Sequence, residues 1–360
     1  MRYLFPLNQA NQQRQLEKLT WVYPVQLAMV ATKLMNDGHE VKWGLYSKSI
    51  YYDQGRVVLR DFYGKETIFD RVIDNDYQLK EFDFASLPYP DRVFTDAKNK
   101  RWQRYGNYRR HPATHSMVSN LCWYGRCVFC QDTERLKAGE KRGVRSVQSF
   151  IDEIDNCISL GFKEIFDDSG TFPVGKWLEE FCSIMIKSGR NKKILLGCNM
   201  KPVKLDYKMM AAAGFKFMLV GIESANQRTV DIIDKGQRSE DVIPIMKSMS
   251  DAGLAPHGTF MSSYGWETEE EEQNTINLCH YLLKKGYIKT AQASIYSPPH
   301  TSPASNSIGH KRIPRYYDAY KSPSFWYHKI KDIRCIEDVT YLMRGARLVA
   351  EEKWRKMWKR

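Results

Sequence analysis

From Ser116 onward the chain repeats one pattern six times, a short apolar strand followed by a helical stretch. The strand candidates are Met117–Ser119, Glu164–Phe166, Ile194–Cys198, Phe217–Ile222, Gly258–Ser262 and Ala291–Tyr296. Helical spacing lies between them near 147–160, 174–188, 204–213, 226–234 with 239–252, and 268–285. Glycines close several of these helices, at Gly161, Gly189, Gly214, Gly253 and Gly286. Few folds admit such a series. Parallel strands need a crossover between them, and a helix supplies it. The fold class is therefore α/β, with a partial (β/α)6 barrel of TIM type over residues 116–300. Ligands in such barrels gather beyond the carboxyl ends of the strands.

A different rhythm precedes this. Residues 2–6 read as a strand, Pro24 opens a helix that Gly38 ends, and Val41, Trp43 and Leu45 alternate as a second strand. Val57–Leu59 and Thr67–Val72 add strand candidates. Residues 1–95 are thus expected to form a small, truncated Rossmann-like domain, too short for a complete five-stranded doubly wound sheet. The proline-punctuated Leu87–Arg92 leads into a linker over 96–115. Residues 301–360 form a C-terminal extension. Its part 305–328 is expected to be irregular, and 336–358 a basic helix.

No apolar run approaches the ~18 residues of a membrane span. The first residues lack the apolar core of a signal peptide. A cytoplasmic protein without a membrane span is expected. The net charge of +13 is concentrated at Lys98–Arg110, Arg135–Arg145 and Lys311–Arg360. A solvated basic surface is the plainer reading, and an anionic small-molecule substrate the sharper one. No segment matches a nucleic-acid module, so nucleic acid is not expected as a partner.

Three of the eight cysteines fall within nine residues, Cys122-Trp123-Tyr124-Gly125-Arg126-Cys127-Val128-Phe129-Cys130. In a reducing compartment such a bunch reads as a metal site. Thiolates suit zinc or an iron–sulfur cluster. Zinc needs a fourth ligand, which His115 or His111 would supply as a Cys3His site. A 4Fe-4S cluster on three cysteines leaves one iron open. Cys157, Cys182, Cys198, Cys279 and Cys335 are scattered and read as buried thiols.

The cysteine loop resembles the cluster motif of the radical S-adenosylmethionine (SAM) superfamily. The usual spacing is Cys-x3-Cys-x2-Cys. Here the first gap is four residues, and Gly125 gives the loop freedom to absorb the extra one. Phe129 fits the aromatic position before the last cysteine. Gly221-Ile222-Glu223-Ser224 with Ile233-Asp234-Lys235-Gly236 looks like the fourth-strand segment of the subgroup carrying an N-terminal cobalamin-binding-like domain. Gly258–Thr268 is similar to its fifth-strand segment, with Ser263, Gly265 and Trp266 where that subgroup has Gly, Pro and Gly. The likeness covers about residues 20–300.

The resemblance implies that Cys122, Cys127 and Cys130 hold a 4Fe-4S cluster whose fourth iron takes SAM. Reductive cleavage would then give a 5′-deoxyadenosyl radical that abstracts hydrogen from an unidentified substrate. Phe129, Asp168, Ser169, Asn199, Glu223, Ser224 and Ser262 are the expected cofactor contacts. Each has a plainer reading beside it. Asp168 and Ser169 would cap the next helix, Asn199 would cap a turn, and Ser262 and Ser263 would be small packing residues. Glu223, at the end of an apolar strand, is awkward as core. Lys235 reads as a helix-end charge, and Trp266 is left unassigned. An electron donor such as flavodoxin or ferredoxin is implied. Cobalamin is left open, and with it methyl transfer. A zinc-stabilised RNA-binding protein is the competing class.

Overall fold

A computed structural model describes residues 1–6, 23–44, 50–53, 56–60, 66–73, 81–99, 103, 108–297 and 313–343. The described residues of Met1–Asn120 and Gly143–Phe166 form one compact unit, and those of Leu121–Arg142 and Asp167–Arg347 a second.

In the first unit, β1 (Arg2–Pro6) leads to α1 (Val25–Asn36) and back to β2 (Glu40–Gly44). Helix α1 buries Ala28, Met29, Val30, Ala31 and Leu34, the apolar face expected from their spacing. Gly38 follows it at φ +82°, where an L side chain would be strained. Strands β3 (Ile50–Asp53), β4 (Arg56–Arg60), β5 (Glu66–Phe69) and β6 (Arg71–Val72) come next. Strand β1 pairs in parallel with β2 on one side and β6 on the other, giving the order β2-β1-β6.

The 57–59 and 67–72 segments are strands as expected, but most of them do not extend this sheet. β3, β4 and β5 form a separate antiparallel sheet. The connections between them are too short for parallel crossovers, which need a dozen or more residues. Leu4, Val57, Leu59 and Phe69 make the shared core, with Val72 against it.

The first strand of the six-fold series is β7 (Ala113–Ser116), ahead of the expected Met117–Ser119. All four of its residues are buried, although three are polar. The side chains of Thr114 and His115 have partners, whereas the buried Ser116 hydroxyl has none among the described residues. Arg92 donates to Thr114 Oγ1 (3.2 Å) and to the His115 carbonyl (2.9 Å), and Tyr108 hydrogen-bonds His115 Nδ1 (2.5 Å). A strand satisfied by side chains distant in sequence leaves no apolar signature, which is why it was displaced. Next come α2 (Gln131–Lys137), which belongs to the second unit, α3 (Val147–Ser159) and β8 (Glu164–Asp167). Ser146 caps α3 through the Ser149 N–H. Glu153 of α3 pairs with Arg92 and Arg145, and all three side chains are fully buried.

The second unit carries α4 (Lys176–Lys187), β9 (Leu195–Met200), α5 (Tyr207–Ala212), β10 (Phe215–Glu223), α6 (Gln227–Ile232), α7 (Val242–Asp251), β11 (Ala255–Ser262), α8 (Glu269–Lys284) and β12 (Thr290–Ile295). The six strands form one parallel sheet in the order β12-β11-β10-β9-β8-β7, so spatial order follows chain order. Met200 pairs with Val220, Val220 with Gly258, and Ser262 with Ile295. This register brings Lys201, Glu223 and Ser263 to the carboxyl edge of the sheet.

Part of the stretch expected to be irregular is ordered as a 3-10 segment (Ile313–Lys321) and α9 (Pro323–Lys331). Pro323 occupies the first turn of α9, where its missing N–H costs nothing. Residues 336–343 are helical, and the rest of the basic helix expected over 336–358 lies outside the described residues. Among the scattered cysteines, Cys157, Cys182, Cys198 and Cys279 are buried as expected, whereas Cys335 is exposed. No helix among the described residues is long and apolar enough to cross a membrane.

Candidate metal centre

The cysteine loop opens the second unit. Its three thiols are partly buried and each is free of a disulfide. The Cys122 N–H donates to Asp132 Oδ2 (2.8 Å), and its thiol donates to Thr171 Oγ1 (3.3 Å). Cys130 precedes the first turn of α2, whose Gln131–Lys137 lacks a side-chain cap. Trp123 Nε1 donates to the Phe172 carbonyl (3.2 Å). Gly125, at φ +59°, turns the chain where the extra residue of the first gap is absorbed.

The loop after β8 completes the cradle. A Cβ at Gly170 would meet the Asp132 carboxylate and stand 3.2 Å from Cys122 Cβ. Only a glycine allows this approach. Asp168 and Ser169 do not cap the following helix, because α4 begins after Gly175. Ser169 is buried, and its N–H donates to Asp167 Oδ1 (3.1 Å). Asn199 Nδ2 donates to the Ser169 carbonyl (2.9 Å), and the Asn199 carbonyl accepts from the Phe172 N–H (2.9 Å). Asn199 therefore holds the 169–172 loop against the end of β9.

Electrostatics tie the three thiols together. Burial pushes the Cys127 thiol up to about 11, while Lys235 and Lys201 pull it down and Cys130 and Cys122 push it up. Burial also raises Cys130, with Asp132 and Cys122 adding to the rise. Cys127 and Cys130 thus both feel Cys122. Among the described residues no group of three His, Cys, Asp or Glu side chains gathers for a single ion. His115 and His111, the expected fourth zinc ligands, are engaged by Tyr108 (2.5 Å) and Gln103 (3.2 Å). The donor set and the Gly170 cradle fit a 4Fe-4S cluster on three thiolates.

The end of β10 supplies the second wall. Glu223 sits at φ +66° beside a register shift, a strained conformation for a non-glycine residue. Its Oε1 pairs with Lys235 Nζ at 2.9 Å, and both residues are more than nine-tenths buried. Lys235 is therefore not a helix-end charge. Burial opposes its charge, but Glu223 together with Cys127 and Cys122 outweighs burial and holds its pKa above the usual lysine range. A Cβ at Gly221 would stand 2.5 Å from Glu223 Oε1 and 2.6 Å from Lys235 Nζ, so the pair needs that glycine. Lys235 Nζ also lies 5.7 Å from the Phe129 ring centroid, which brings Phe129, Glu223 and Lys235 together.

Ser224 and Ser262 face a different network. Ser224 Oγ donates to Glu267 Oε1 (2.9 Å) and meets Thr275 (3.2 Å), and Ser262 donates to Glu272. These contacts tie the ends of β10 and β11 to α8 and its N-terminal approach. Trp266 Nε1 donates to Thr229 Oγ1 (3.2 Å) beside Tyr264 and Tyr296.

Residues 117–279 match the family model of the Radical SAM superfamily. The matched segment contains all three clustered cysteines and every expected cofactor contact. A curated relative, named "Uncharacterized methyltransferase PH0819", from Pyrococcus horikoshii, is 30% identical over 186 residues. That alignment covers 51% of this chain, and the chain spans 39% of the relative's length. Among solved structures, apo OxsB, a cobalamin-dependent S-adenosylmethionine radical enzyme, matches 89% of this chain and 47% of its own at 13% identity and TM-score 0.46. The radical S-adenosylmethionine methyltransferase TsrM from Kitasatospora setae matches 52% of this chain and 37% of its own at 18% identity and TM-score 0.43.

Thr171, Asp132, Lys201, Lys235 and Tyr124 escaped the sequence reading as site residues. Asp132 carried the one available signal, an acid two residues beyond the last cysteine of the motif.

Proposed function

We propose that the protein is a radical SAM enzyme in which Cys122, Cys127 and Cys130 each bind one iron of a 4Fe-4S cluster. The three half-buried thiols against the Gly170 cradle, inside the segment that matches the superfamily, carry this reading. Held by these cysteines, the cluster would supply the electron that cleaves SAM to methionine and a 5′-deoxyadenosyl radical able to abstract hydrogen from the substrate.

The chain's own residues orient and shield. Asp132 fixes the Cys122 backbone, the Thr171 hydroxyl stands beside its sulfur, and Asn199 fixes the 169–172 loop. SAM is placed against Phe129, Asp168, Ser169, Asn199 and Glu223. Ser224 and Ser262 hold the ends of β10 and β11 behind it through Glu267 and Glu272. The substrate is a small molecule, and the net positive charge favours an anionic one. A low-potential electron carrier such as flavodoxin or ferredoxin serves as donor.

The test is anaerobic reconstitution. Iron and sulfide should load, and reduction with SAM present should release 5′-deoxyadenosine. Cys127→Ala should reduce that release to background. Cleavage at the unsubstituted rate in this variant would sink the assignment.

A second reading makes the reaction a cobalamin-dependent methyl transfer. Two observations favour it. One is the methyltransferase name of the Pyrococcus relative. The other is the parallel order β2-β1-β6, which puts a topological switch point at the carboxyl end of β1, where doubly wound sheets bind ligands. It predicts that hydroxocobalamin binds with a shifted visible spectrum and that S-adenosylhomocysteine appears among the products. An unchanged spectrum and no S-adenosylhomocysteine would remove it.

A further inference from the structure

Lys201 directly follows β9 and is only 5% exposed. A buried ammonium is costly unless something offsets its lost hydration. Among the described residues no carboxylate pairs with it. Aromatic faces hold it instead, with Nζ 3.2 Å from the Tyr124 ring centroid and 5.8 Å from that of Trp123. Its neighbour Lys235 differs, since Glu223 balances that charge at 2.9 Å. Both ammonium groups lie against rings of the cysteine loop, Lys201 over Tyr124 and Lys235 over Phe129. Lys235 thus has an anion of its own, and Lys201 has none among the described residues.

The long first gap of the cysteine motif builds this arrangement. The Tyr124 hydroxyl donates to Asp234 Oδ1 (3.0 Å) and accepts from Arg126 Nη2 (2.6 Å). The Arg126 guanidinium lies 4.7 Å from the ring centroid. A Cβ at Gly236 would collide with the Tyr124 hydroxyl. The ring is thus fixed from both sides as a roof over Lys201, and the four-residue gap supplies the residues that make it.

We propose that Lys201 raises the reduction potential of the cluster bound by Cys122, Cys127 and Cys130, and that the lengthened loop exists to hold it there. This rests on the cluster reading above. Reduction adds one electron, taken from dithionite in the assay, and so one negative charge. A fixed ammonium against the cysteine loop stabilises that charge far more in a low-dielectric site than in water.

The test is an anaerobic redox titration of the reconstituted full chain, read by electron paramagnetic resonance. Lys201→Met and Lys201→Gln should load the same iron and sulfide. Their ratio of reduced to oxidised cluster at a fixed potential should fall about tenfold, equivalent to about 59 mV for a one-electron couple. Lys201→Arg should titrate with the unsubstituted protein. Because the Gln variant keeps polarity, a folding failure of the Met variant leaves the test standing. The idea is overturned if the uncharged variants titrate with the unsubstituted protein, or if Lys201→Arg moves as far as they do. Failure of the unsubstituted protein to load iron overturns the proposed function itself, and so is distinguishable.

Discussion

Glu223 and Lys235 show how much one pair fixes at the scale of single residues. The carboxylate holds a positive-φ conformation at the end of β10, and the ammonium anchors it there. Removing one member of a buried pair leaves the other uncompensated, which typically costs about 3–5 kcal/mol. Lys235→Met should therefore destabilise the protein by about that much in urea unfolding. The double variant Lys235→Met with Glu223→Gln should recover part of the loss, and an unmoved midpoint in the single variant would refute the pairing. Glu223 stood out in the sequence because a carboxylate at a strand end is out of place in a core. Lys235 was not legible. Its partner is twelve residues away across a loop, and helix-end charge is the commoner meaning of such a lysine.

At the scale of elements, the loops after β8 and β10 and the approach to α8 carry the site. Gly170→Ala should lower iron retention, because the new Cβ pushes the Asp132 carboxylate off the Cys122 N–H. The measurement is the rate of iron release to a chelator, expected to rise several-fold with secondary structure unchanged. A release rate equal to that of the unsubstituted protein would contradict the cradle. Ser262→Ala removes the Glu272 contact of a fully buried hydroxyl and should cost about 1–3 kcal/mol of stability. SAM affinity should stay within about twofold if Ser262 acts from behind the site, as the network implies, and a large loss of affinity would make Ser262 a direct contact. Most helices and strands of the β/α series were legible from periodicity and glycine stops. The exception, β7, hides its identity because three of its four buried residues are polar, with Thr114 and His115 held by Arg92 and Tyr108.

On the scale of the whole molecule, buried charge gives folding a pH dependence. Glu164 accepts from the N–H groups of Arg109 (2.9 Å) and Arg110 (2.8 Å), yet burial first of all pushes its pKa from 4.5 up to about 7. The folded chain therefore keeps this proton over a range where the unfolded chain has lost it. Stability from this group is fully present below about pH 4.5 and declines as pH rises to about 7. The shift corresponds to about 3 kcal/mol. In Glu164→Gln this component of the slope should vanish when unfolding free energy is measured from pH 4.5 to 7.5. Parallel curves for the two proteins would refute the assignment. Glu153 acts in the opposite sense. Burial raises it, but Arg145 and Arg92 outweigh burial and hold it below the usual carboxylate range, so its contribution is lost only in acid.

The sequence by itself determined the β/α series, the three soft ligands in one loop, and the strand ends beyond which a cofactor would sit. These follow from local spacing, which reports period, turn chemistry and ligand type. Tertiary structure alone decided which polar groups meet. It joined Glu223 to Lys235, Asn199 to the 169–172 loop, and Ser262 to Glu272. It also set Tyr124 of the cysteine loop as a roof over Lys201. Such pairings depend on which buried charge is balanced and which is not, a property of three-dimensional neighbours that no spacing along the chain encodes.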